Sequence, residues 1–232
     1  MTSASIEAPS RLTSTTPRGA APKDPSPCRV REYNTAAEIK ARAERRRLLT
    51  AAKLVLQRGG WWGFKVDSVL REARLSTRSF YRHFQKKNDL LVALLESELG
   101  AAAEVLERKT AAGDTPSARV RAYIHATLDM GCRTELAKKS FLFASHWREL
   151  LPEYSQTIDN CAVQMQAPLV AALTDGMQRG EFTCEDPVAD AAAIFFMVGH
   201  IAADQAALGG TTSRAEVEHM VMPLITRGIG LH

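Results

Sequence analysis

The sequence predicts an all-α protein with a small basic helix-turn-helix head and a larger helical body. Three observations carry that expectation. Apolar residues recur at helical spacing through most of the chain, and no alternating strand pattern or internal repeat competes with it. Caps and breakers punctuate those stretches at helical lengths. Charge is divided unevenly: residues 38–87 hold 14 Lys/Arg against 4 Asp/Glu, a net +10, while 1–37 carry +2 and 88–232 carry −8, which make up the overall +4. A basic head on an acidic body directs the head toward a polyanion.

Residues 1–36 are rich in Ser, Thr, Ala and Pro, with Pro9, Pro17, Pro22, Pro25 and Pro27 among them, and are expected to form a disordered tail. A helix over about 37–57 follows, with Arg45, Arg46 and Arg47 near its start and Leu48, Leu49, Ala51, Ala52 and Val55 on its apolar side. Gly59-Gly60 ends it. Val66, Val69, Leu70 and Ala73 stand at i, i+3, i+4 and i+7, the stripe of a second helix over 66–73. Ser76 is placed to cap a third, its hydroxyl taking an otherwise unpaired N–H of the first turn. On that helix Phe80 and Phe84 face inward, and Arg78 and Arg82 face the opposite side, where a major groove would lie.

A helix over 88–109 has Leu91, Leu94, Leu95 and Leu99 on one face. Asp114-Thr115-Pro116 then offers a cap and a first-turn proline for a helix to about Cys132. Further helices are expected over 134–150, over 152–179 ended by Gly180, and from Asp186-Pro187 to Gly209-Gly210. Ser213-Arg214-Ala215-Glu216 is a capping box for the last, inside which Pro223 removes a backbone bond and is expected to kink the helix. The stretch 191–201 is apolar on most of its circumference, so it must be covered on several sides. With Val217, Val221, Leu224 and Ile225 it could form half of a four-helix bundle with a second copy of the chain.

Ser76-Thr77-Arg78-Ser79-Phe80-Tyr81-Arg82-His83-Phe84, with Lys87 three residues on, resembles the end of the recognition region in the TetR family of bacterial transcriptional regulators. The resemblance is close over about 43–95 and beyond that is a pattern of helix lengths. Two departures stand out: Arg74 occupies the place of a usual turn glycine, and Lys65 that of a helix-opening threonine. The first strains the turn if φ is positive there, and the second removes a cap. The resemblance implies a homodimer joined through its last two long helices, with two heads in successive major grooves of a palindromic operator about 34 Å apart. It also implies a small apolar ligand that releases the heads from double-stranded DNA. The residues assigned to the DNA face are Lys65, Ser76, Thr77, Arg78, Ser79, Tyr81, Arg82, His83 and Lys87, of which Lys65, Tyr81, His83 and Lys87 meet phosphates, with Arg45 and Arg47 as outer helpers.

Aromatic, Met and His residues of the body, namely His125, Met130, Phe141, His146, Trp147, Met165 and Phe195, are candidates to line a ligand pocket or to be plain core. His125 and Asp129, at i and i+4, are read as a solvated helix pair rather than an acid/base or metal pair. No nucleophile elbow, metalloprotease motif or phosphate loop is present, so the chain is not expected to be an enzyme, and no cofactor is expected. The rival readings are a helical small-molecule enzyme or sensor and a DNA-binding regulator without a ligand. Cys28, Cys132, Cys161 and Cys184 have neither zinc-finger spacing nor a disulfide framework, so free thiols and no metal are expected. No apolar run approaches about 18 residues and no secretory apolar core is seen, which predicts a cytoplasmic protein away from membranes.

Overall fold

The computed structural model describes residues 36–132, 146–207 and 213–230. The helices are α1 (Ala36–Gly59), α2 (Val66–Ala73), α3 (Thr77–His83), α4 (Lys87–Ala111), α5 (Pro116–Cys132), α6 (Leu151–Gln178), α7 (Pro187–Ala207) and α8 (Arg214–Gly228), with a 3₁₀ turn at His146–Glu149. No strand occurs among the described residues. All but Ala36 of the tail expected over 1–36, and most of the helix expected over 134–150, lie outside them, and Ala36 opens α1. The described end of that expected helix, His146–Glu149, is the 3₁₀ turn.

The apolar spacing explains two cores. Leu48, Ala52, Val55, Val69, Leu70, Phe80 and Phe84 of α1 to α3 are buried together with Leu90–Leu95 of α4 and with Leu150 and Ile158. A second cluster gathers Leu106, Tyr123, Ile124, Leu128, Leu169, Leu173, Ile194, Val198, Val217 and Val221. The helix α4 runs through both, its first turns closing the head and its later turns entering the body. The head's core thus extends well past Lys87, to include the start of α6.

Local chemistry fixes the head's turns. Gly60 takes φ +66°, and a Cβ on Gly63 would sit 2.4 Å from the Gly59 carbonyl oxygen, so the α1–α2 loop closes only with glycine there. Lys65 precedes α2 with no side-chain cap, as its departure from threonine predicts. Ser76 accepts a bond from the Ser79 N–H at 3.2 Å and starts α3. Arg74 adopts φ 51°, ψ 47°, the left-handed conformation that the missing glycine would have taken without strain.

The last helices follow their punctuation. Ser213 and Glu216 form the reciprocal capping box of α8, and that helix continues through Pro223 to Gly228. By length and composition alone, Pro187–Ala206 of α7, with mean hydropathy 1.3, is also long and apolar enough to cross a membrane. Asp190 and Asp204 interrupt its apolar residues, so they form no continuous run of about 18 residues.

Candidate nucleic-acid interface

The reading helix α3 is held by its two phenylalanines. Phe80 and Phe84 are buried, their ring centroids 5.8 Å apart. The opposite side is polar and open: Thr77 and Arg78 are exposed, and Tyr81 is exposed with its ring edge-on to Phe80. The side chains of Arg78, Lys65 and Lys87 have no hydrogen-bond or ion-pair partner among the described residues. Three cations are therefore free to meet an anion around one short helix.

The other predicted contacts are placed differently. Ser79 is buried beneath the N-terminus of α3. His83, its side chain 9% exposed, turns inward with Nε2 3.4 Å from Glu44 Oε2. Arg82 is half-exposed as expected, but its Nη1 lies 2.9 Å from the same carboxylate oxygen. Glu44 itself is buried. Burial raises the pKa of its carboxyl, and the hydrogen bond with His83 and the charges of Arg82, Lys40 and His83 outweigh burial, leaving it below the ordinary value.

Arg45 and Arg47 also serve the head. The Arg45 guanidinium lies 5.6 Å from the Phe84 ring centroid. Arg47 Nη2 donates to the carbonyl oxygens of Ala73 and, at 3.3 Å, Arg74, so it closes the end of α2 at the strained turn. These long-range partners were invisible to local spacing. The one signal for Glu44 was its place four residues before Leu48, on the stripe that includes Ala52 and Val55.

The described residues among those predicted for a body pocket are not all brought to one place. Met165 is buried, and its carbonyl accepts a bond from the Tyr123 hydroxyl at 3.0 Å. Met130 and Phe195 are half-buried against the same core. His125 sits at the seam between α5 and α8, Nε2 2.7 Å from Glu218 Oε1, while Asp129 meets Arg214 at 2.9 Å. Both members of the expected His125–Asp129 pair thus meet a side chain of α8 across that seam. His146 belongs with the head, stacked on Trp61 with ring centroids 5.4 Å apart. Phe141 and the side chain of Trp147 lie outside the described residues.

Cys161 and Cys184 are buried free thiols. Burial, then the charges of Glu96 for the first and Asp190 and Asp186 for the second, push their pKa values up, away from the reactive thiolate. No three His, Cys, Asp or Glu gather where they could hold a metal among the described residues.

Comparison with known proteins agrees with this architecture. Residues 48–94 match the model of the bacterial regulatory proteins of the tetR family, and residues 116–222 that of the tetracyclin repressor-like C-terminal domain. The HTH-type transcriptional repressor KstR of Mycolicibacterium smegmatis is 25% identical over 140 residues, which make up 58% of this chain and 65% of that protein. The chain thus spans slightly under two thirds of the length of the curated relative it matches. The transcriptional regulator FadR of Bacillus subtilis, solved in complex with stearoyl-CoA, superposes with a TM-score of 0.66 at 19% identity, over 79% of this chain and 98% of that one. A TetR-family regulator from Pectobacterium atrosepticum gives 0.66 at 22% identity, over 84% and 97%. Such structural likeness carries the fold. With one model of the family on the head and another on the body, the two together matching more than half of its residues, the chain belongs to the TetR family of bacterial regulatory proteins.

Proposed function

We propose that this chain is a cytoplasmic, homodimeric DNA-binding regulator, a repressor that a small apolar molecule releases from a palindromic operator. The observation that carries the reading is α3: two buried phenylalanines hold it, and Thr77, Arg78 and Tyr81 face outward on a head of net charge +10 over residues 38–87. In a major groove the Arg78 guanidinium offers the planar pair of donors that suits guanine O6 and N7. Lys65 at the start of α2 and Lys87 at the start of α4 add charge where helix N-termini already favour a phosphate.

Repression is supported by the relative named as a repressor, and an apolar ligand by the stearoyl-CoA in the FadR structure. Met130, Met165 and Phe195 supply apolar surface on α5, α6 and α7 for such a molecule. Release requires only that the ligand prefer a state whose head spacing no longer fits DNA.

Selection of bound duplexes from random DNA tests the proposal. The expected product is a palindrome whose half-sites lie one helical turn apart, with affinity falling steeply as salt rises. Binding without sequence preference would refute it. A hydrophobic metabolite that raises the melting temperature and weakens the selected duplex by the same factor in both directions of the cycle would establish the ligand.

A further inference from the structure

The turn after the reading helix is built jointly by head and body. Asp89, in the first turn of α4, divides its carboxylate between them. Its Oδ2 accepts from the backbone N–H of Gln85 at 2.8 Å and of Lys86 at 3.0 Å, which closes the turn between α3 and α4. Its Oδ1 accepts from the hydroxyl of Tyr154, on α6, at 2.5 Å. Lys86 joins the same group, its ammonium paired with Glu153 and 5.7 Å from the Tyr154 ring centroid.

The placement of Tyr154 is specific to this contact. It departs from helical geometry inside the first turn of α6, with φ −128° and ψ 28°, while Leu150 and Ile158 on either side are buried in the head's core. The ionisation states suit the bond. Burial raises the pKa of Asp89, but its bonds from Tyr154 and the two amides and the charge of Lys86 bring it below the ordinary value. Burial and the neighbouring carboxylate push the Tyr154 hydroxyl up to about 12, so it stays a neutral donor facing a charged acceptor.

We infer that Tyr154 is a positioning residue for DNA binding: through Asp89 it fixes the Gln85–Lys87 turn that presents Lys87 and the N-terminus of α4 to a phosphate. The inference rests on the proposed function. A shift of α6 within the body would reach the DNA face through this bond, beside the Lys86–Glu153 pair and the packing of Ile158 in the head's core, without any change in the residues that touch DNA.

The test uses the full chain and the duplex that the wild-type chain selects. Tyr154→Phe keeps the ring and removes only the donor. Loss of one charge-assisted bond should weaken binding about three- to tenfold and speed amide exchange at Gln85 and Lys86 while the rest of the head is unaffected. In an Asp89→Asn background, where the acceptor charge is already gone, the same change should cost less than about twofold. Unchanged affinity, weaker binding with unchanged exchange at the two amides, or a full effect in the Asp89→Asn background would each overturn the inference. A random pool that yields no preferred duplex would sink the DNA-binding reading itself, whereas a duplex bound equally by both chains would sink only the role of Tyr154.

Discussion

Glu44 is a buried acid in a head that otherwise collects positive charge, and it shows what one residue does to its surroundings. It engages Arg82 and His83, two residues assigned from the sequence to the DNA side, and so takes up the Arg82 guanidinium that α3 would otherwise offer freely. Its pKa is depressed in the folded chain, so the stability it contributes is fully present above its unfolded value, ordinarily 4.5, and is lost as pH falls through the lower folded value. Urea unfolding at a series of pH values should show wild-type stability dropping below pH 4.5, and Glu44→Gln should flatten that drop. Equal acid sensitivity in the two chains would assign the loss to other carboxylates. At this scale the sequence was partly legible: Arg82 was placed on the outward side of α3, but Glu44, whose partners stand 38 and 39 residues away, was passed over.

The elements of the head were legible because their signals are local. Ser76 caps α3 as its position before a helical stripe predicts, and Ser76→Ala should cost about 1 kcal/mol of stability, read as a lower urea midpoint. The Arg74 departure was also readable, and the structure resolves its conditional form: φ is positive there, at 51°. Arg74→Gly should therefore stabilise the chain, by about 0.5 to 1 kcal/mol once the greater freedom of glycine in the unfolded state is subtracted from the relieved strain. The carbonyl that Arg47 contacts at this turn is backbone, so the substitution leaves that bond available. A lower melting temperature for Arg74→Gly would mean that its side chain contributes more than its strain costs. What the sequence could not show is Arg47 reaching from α1 to the end of α2, or Trp61 stacking on His146, since neither leaves a periodic trace.

At the scale of the whole molecule the unfinished surface is on α7 and α8. The sequence identified both helices and the excess of apolar residues on α7, but a wheel cannot say which face is inward when most of the circumference is apolar. Ala191, Ile194, Val198 and Ala202 of α7, and Val217, Val221 and Ile225 of α8, face the chain's own core. Val188 and Phe196 of α7 and Met220 and Leu224 of α8 are exposed, each by more than half of its area. Val221, grouped by sequence with the residues a second copy would cover, is thus a core residue. The two sites should respond differently to the same charge. Phe196→Glu places a carboxylate on an exposed position and should leave the monomer folded, while burial of that carboxylate against a partner would cost several kcal/mol; sedimentation should show monomers with unchanged helical content. Val221→Glu buries the charge inside the chain and should lower the melting temperature or abolish folding. A stable, folded Phe196→Glu dimer would place the interface on another face, and because two heads must be held together to bind a palindrome, its DNA affinity should then match that of the wild type.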